Sequence, residues 1–136
     1  MKKMMKEILG YCQERGIHSY SSEEKIVVPL SYRDREFHLF FTPGRAGIMV
    51  TLYTGFIFDD LDAFRAKLNS VIMGVEGFTL SLEADPYGRP EIIMQKEVSE
   101  GGNALVRVLV AAGTMVGAYK LLADELMVKT ERRQTV

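Results

Sequence analysis

The chain has 136 residues, enough for one domain with a single hydrophobic core and no need of disulfide or metal staples. Apolar residues make up 47% and charged residues 26%, with a net charge of −1, so no overall field draws the protein to nucleic acid or to an anionic membrane. The single cysteine, Cys12, excludes an internal disulfide and fits a reducing compartment, so a cytoplasmic protein is expected.

Residues 2–15 predict a first helix. Met5, Ile8, Leu9 and Cys12 form its apolar stripe, and Gly16 suits the position just past its end. Lys6 and Glu7 interrupt any apolar run there, so the segment is not expected to be a signal peptide. Cys12 falls on the buried stripe, which makes it structural, since reactive thiols are partly exposed beside positive charge. Residues 17–24 form a connection with a short strand at residues 18–20.

Residues 25–32 predict a strand at an edge or a bulge, because Pro29 has no N–H to give to a ladder. Arg33 and Asp34 break it. Residues 35–42 alternate Phe37, Leu39 and Phe41 with Glu36, His38 and Phe40. A turn at residues 43–47 leads to a third strand over residues 48–58. Short connections make these three strands an antiparallel meander. Its second face is not simply polar. Phe40, Met49 and Tyr53 interrupt it and are expected to lie exposed there, as contacts for a protein or peptide.

Asp59 and Asp60 offer an N-cap for a second helix. Leu61, Phe64, Leu68, Val71, Ile72 and Val75 follow at helical spacing, and Gly74 and Gly77 bracket the end. Residues 78–84 alternate as a half-buried strand. Asp85-Pro86-Tyr87-Gly88 is a turn, because Pro presets φ and Gly accepts a positive φ. Residues 90–98 make the last strand.

The most apolar stretch, residues 103–129, predicts one long helix capped by Asn103. Leu105, Val108, Leu109, Ala112, Val116, Tyr119, Ala123 and Leu126 share one face. Val106, Val110, Leu121 and Val128 lie on a second side, with Gly113 and Gly117 among them. That second side either packs tightly within the subunit or forms a dimer interface through Val106, Val110, Gly113, Gly117 and Leu121. The charge-free run over residues 108–119 is too short for a bilayer core, so no membrane span is expected. Residues 1–129 then form one domain, and residues 130–136 a polar, disordered tail.

Chemistry-bearing motifs are scarce. His18 and His38 have no partner at ligand spacing, so no metal site is expected. Asp59, Asp60 and Asp62 lack the pattern of a calcium loop. Residues 42–47 lack a P-loop lysine and precede a strand rather than a helix. No catalytic residue and no cofactor is assigned.

The expected architecture is α+β, an antiparallel sheet of about five strands with helices packed on it, in the order α-β-β-β-α-β-β-α. The hairpin Gly77-Phe-Thr-Leu-Ser-Leu-Glu-Ala-Asp-Pro-Tyr-Gly-Arg89 leading into Glu91-Ile-Ile-Met94 resembles the hairpin after the second helix in YbjN-like bacterial sequences. The meander and the apolar last helix fit the same plan, which is similar to that of type III secretion chaperones. The resemblance implies a non-enzymatic protein, often a homodimer, that holds an extended protein segment or acts as a regulator. Two other readings stand beside it. One is a small-ligand carrier or enzyme with a pocket between sheet and last helix, using His38 or Tyr119. The other is an obligate subunit of a larger complex.

Overall fold

A computed structural model describes residues 2–22, 24–57, 62, 65–66 and 79–134. The elements are α1 (Lys2–Glu14), β1 (Tyr20–Ser22), β2 (Lys25–Tyr32), β3 (Arg35–Pro43), β4 (Gly47–Ile57), β5 (Thr79–Ala84), β6 (Pro90–Ser99) and α2 (Ala104–Gln134). The protein is α+β, with six strands where about five were expected. All neighbours are antiparallel, in the order β1-β2-β3-β4-β6-β5. The short extra strand is Tyr20–Ser22, two residues later than the sequence placed it. The helix expected between β4 and β5 lies outside the described residues, apart from Asp62, Arg65 and Ala66, which are helical.

The β2–β3–β4 meander follows from its turns. Tyr32 pairs with Arg35, leaving Arg33 and Asp34 as a two-residue loop with φ of 51° and 63°. Both positive angles match the twist of the flanking strands. β1 begins opposite Val27 and runs back to Lys25, so Pro29 sits on a part of β2 with no strand beyond it among the described residues. That is where a residue without an N–H costs the ladder least. The β5–β6 hairpin joins β4 through β6, which leaves β5 at the other edge.

One face of the sheet carries Ile26, Val28, Phe37, Leu39, Phe41, Ile48, Val50, Leu52, Ile92 and Met94, all at most 5% exposed. Their registers put them side by side: Ile26 with Phe41 and Val28 with Leu39, Leu39 with Leu52, Leu52 with Met94. α1 adds Ile8 and Cys12 to this core. The Ile17 N–H donates to the Cys12 carbonyl, and Gly16 turns the chain out of the helix at φ 65°.

α2 covers the same face with Val108, Ala111, Ala112, Met115, Ala118, Tyr119, Leu122 and Ala123. Its buried side is therefore rotated from the expected one. Leu105 and Val116 only flank it, while Ala111, Met115, Ala118 and Leu122 stand at its centre. Small alanines let the helix lie close to the sheet, and a hydropathy pattern ranks them below Leu and Val. α2 also continues to Gln134, so residues 130–134 of the expected tail belong to the helix.

Candidate functional site

Three places carry side chains that the fold itself does not explain: the outer side of α2, the far face of the sheet, and the groove between α2 and β6.

The outer side of α2 is diametrically opposite its buried face. Val106, Val110 and Leu121 are 57%, 62% and 48% exposed. Gly113 and Gly117 lie between them, and a Cβ built on either meets no atom within 4 Å. Nothing in the described chain therefore requires a glycine at these positions, although each costs about 1 kcal/mol of helix propensity relative to Ala. Of the two readings the sequence left open for this side, packing within the subunit finds no covering element among the described residues. Helix geometry puts residues at spacings of three and four on one side, and the sheet already occupies the other.

Ala104–Glu125 is also long and apolar enough to cross a membrane, with a mean hydropathy of 1.6 in its most apolar window. The expectation from the shorter charge-free run is corrected to that extent. The same segment carries Val108, Met115, Tyr119 and Leu122, each 0% exposed, and so forms one wall of the core.

The far face of the sheet brings Phe40, Met49 and Tyr53 together, as their alternation required. Phe40 is opposite Thr51, Met49 opposite Thr42, and Tyr53 opposite His38. The rings of Phe40 and Tyr53 are 4.7 Å apart and tilted by 55°. Lys25 Nζ stands 5.5 Å from the Phe40 ring centre. The three residues are half-buried rather than exposed. Their neighbours Thr51 and Ile93 are 4% and 0% exposed, and Gln95 donates to Thr51 Oγ1 at 3.3 Å. Burial raises the pKa of Tyr53, and the carboxylates of Glu83 and Glu91 raise it further, so its hydroxyl stays a neutral donor. Sequence reasoning missed Thr51 and Ile93 on this face, because burial at the middle of a strand face depends on the side chains around it.

The groove between α2 and β6 has a volume of about 410 Å³ and is lined by Lys96, Val98, Ser99, Arg107, Val110 and Thr114. Arg107 Nη2 donates to the carbonyls of Ser99 and Gly101, at 2.9 and 2.6 Å, and so ties the loop entering α2 to the helix. The Thr114 hydroxyl donates to the Val110 carbonyl. Neither residue proposed for a pocket lines this groove. His38 lies on the far face of the sheet and Tyr119 in the core on the near one, so the sheet separates them.

Tyr119 is instead the centre of an aromatic stack, 3.8 Å from Phe37 and 5.5 Å from Phe56, with the Arg35 guanidinium 4.6 Å from the Phe56 ring centre. Among the described residues its buried hydroxyl has no partner at hydrogen-bond geometry, although the Arg35 guanidinium lies near enough to act on it. Burial raises its pKa, and the nearby positive charge of Arg35 works against that rise. Burial likewise raises the pKa of the Cys12 thiol and keeps it from the nucleophilic thiolate form. His18 pairs with Tyr20, its Nε2 2.9 Å from the Tyr20 hydroxyl. Among the described residues no three of His, Cys, Asp or Glu gather to hold a metal ion.

Fold and site together define an α+β protein with an apolar helix face that no described residue covers and an aromatic cluster on the far side of its sheet. Comparison of the chain with protein-family models, with curated proteins and with solved structures finds no match.

Proposed function

We propose that this protein is a non-enzymatic, homodimeric binding module that pairs through the outer side of α2 and holds an extended protein or peptide segment against the far face of its sheet. The observation that carries the reading is the stripe of Val106, Val110 and Leu121, about half exposed, around two glycines where a Cβ would meet no described atom within 4 Å. Covering each half-exposed aliphatic side chain is worth about 1 kcal/mol. Glycines there let a second backbone approach where a side chain would hold it off. The aromatic pair of Phe40 and Tyr53, with Met49 beside it, supplies the apolar contacts for a segment. The resemblance in order of elements to YbjN-like and type III secretion chaperone-like proteins supports the same class, and the cytoplasm is the proposed compartment. The same helix face favours a protein partner over a bilayer, because inserting it in lipid would strip Met115, Tyr119 and Leu122 from the core.

The test is solution mass by light scattering, on the natural chain and on Gly117→Leu. A Cβ at Gly117 meets no atom, so the variant keeps its fold. A dimeric natural chain and a folded, monomeric variant are expected. A monomeric natural chain overturns the dimer, and a foreign protein held at fixed stoichiometry on the same face replaces it with a subunit of a larger complex. For the far face, fluorescence anisotropy against a library of extended peptides is expected to find binders that Phe40→Ala and Tyr53→Ala both weaken. Equal binding by both variants removes that face from the proposal.

A further inference from the structure

We infer that the far face of the sheet selects a basic segment: one lysine or arginine side chain enters a notch at Gly55, between the carboxylates of Glu36, Glu83 and Glu91, while apolar residues two and four positions along lie on Tyr53 and Phe40. This names the partner chemistry of the face proposed above and rests on that reading.

The register sets the three carboxylates in one row. Glu83 stands opposite Glu91, two positions beyond the pair of Ser81 and Ile93. Glu36 lies two positions beyond His38, which faces Tyr53. Between them the ladder of β4 with β6 is interrupted, and Gly55 turns there at φ 74°. The Gly55 N–H donates to Glu91 Oε2 at 2.9 Å. A Cβ built on Gly55 meets only the Glu36 carbonyl oxygen, at 3.6 Å. The row is therefore open at its middle, with backbone as its floor and acidic residues on either side. Like charges directly opposite on a sheet are unfavourable. Among the described residues no ion pair neutralises Glu36, Glu83 or Glu91. The bond from Gly55 satisfies one oxygen of Glu91 and leaves its charge in place. A cation from outside the chain removes the repulsion.

The neighbouring residues say which cation fits. Glu83 and Glu91 both act on the Tyr53 hydroxyl, so the acidic row adjoins the aromatic pair. A lysine or arginine side chain suits such a junction, because its apolar stem covers an aromatic ring while its head reaches the carboxylates. A bare metal ion does not, since among the described residues no three acidic, histidine or cysteine groups gather to hold one. At the opposite end of the face Lys25 Nζ stands 5.5 Å from the Phe40 ring centre and repels a second cation there. Charge thus fixes which end of the segment is basic. An extended chain shows the same side every second residue, at about 3.3 Å per residue. A basic residue at the notch therefore sets its second and fourth neighbours over Tyr53 and Phe40.

The test uses the full chain and fluorescein-labelled peptides with leucines two and four positions from a lysine, in both orders. Matched peptides carry norleucine or glutamate in place of that lysine. By anisotropy the lysine peptides are expected to bind about tenfold more tightly than the norleucine ones, and the glutamate peptides more weakly than either. Glu83→Gln and Glu91→Gln keep an acceptor oxygen and remove the charge. Each is expected to narrow the gap while leaving norleucine binding unchanged, as added salt also does. Equal binding of lysine and norleucine peptides, with Phe40→Ala weakening both, overturns the cation site and leaves the far face in place. A loss in Glu83→Gln and Glu91→Gln shared equally by both peptides overturns it too, because the carboxylates then act through the fold. If no peptide binds in a way that Phe40→Ala weakens, the far-face reading itself falls, so the two failures are told apart.

Discussion

The carboxylate of Asp124, late in α2, accepts a hydrogen bond at 2.8 Å from the hydroxyl of Tyr32 at the end of β2, across 92 positions of sequence. Arg33 Nε lies 2.7 Å from the same carboxylate, and Lys120 stands over the Tyr32 ring. The C-terminal half of the helix is thereby fastened to the β2–β3 turn. The ion pair alone is partly solvated, with side chains 44% and 36% exposed, so it adds little by itself. The hydrogen bond to a charged acceptor is the stronger part. Asp124→Ala is expected to cost about 1–2 kcal/mol and Tyr32→Phe about 1 kcal/mol, with the double variant well short of their sum. Urea unfolding of the four proteins measures the coupling, and simple additivity would show that the contact holds nothing.

The turn beside this contact is strained. Arg33 and Asp34 both have positive φ, which costs a residue with a Cβ about 1 kcal/mol. Asp34→Gly is expected to raise stability by about 1 kcal/mol while keeping Arg33 on Asp124. Thermal unfolding checks the sign, and a lower midpoint would mean that the Asp34 side chain has a role of its own.

Gly47 starts β4 where a Cβ would overlap the backbone carbonyl oxygen of Val98 on β6. Backbone cannot move aside as the tip of a side chain can. Gly47→Ala is expected to destabilise by more than about 3 kcal/mol, at the upper end for single substitutions. Gly113→Ala, which meets nothing, should instead stabilise the isolated chain by about 1 kcal/mol. Chemical unfolding of both variants at concentrations below any dimerisation separates the two glycines.

Asp85 gives the β5–β6 turn a pH dependence of known sign. Burial works to raise its pKa, but hydrogen bonds from the backbone of Arg89 and Tyr87 and from the Arg89 guanidinium outweigh that and hold it below the usual value. A carboxyl group with a lowered pKa in the folded state contributes stability above its unfolded pKa and loses it as pH falls through the folded one. Natural chain and Asp85→Asn should differ most at neutral pH and converge in acid, as read by unfolding midpoints. A gap that persists in acid would assign the effect to the amide's shape rather than to charge.

Tyr119 is expected to matter through its ring and not its hydroxyl. Tyr119→Phe removes a buried hydroxyl that has no well-formed hydrogen bond among the described residues and should be neutral or slightly stabilising. Tyr119→Ala opens a cavity beside Phe37 and Phe56 and should cost about 3–5 kcal/mol.

Local patterns were enough for most elements. Alternation at Phe37, Leu39 and Phe41, the Arg33-Asp34 and Asp85–Gly88 breaks, and the apolar run of α2 each reflect interactions within a few residues, so the amino-acid order alone determined the strands, both described helices and the α+β class. It also determined that Val106, Val110, Gly113, Gly117 and Leu121 share one side of α2, since helix geometry dictates that. Only the tertiary structure decided which way the side faces. The rotation of α2 onto Ala111, Met115, Ala118 and Leu122 depends on how closely helix and sheet approach, a property of both surfaces at once. The same holds for β6 rather than β5 beside β4, for Thr51 and Ile93 buried on the far face, and for His38 and Tyr119 parted by the sheet. Each is set by partners distant in sequence, which no local pattern records.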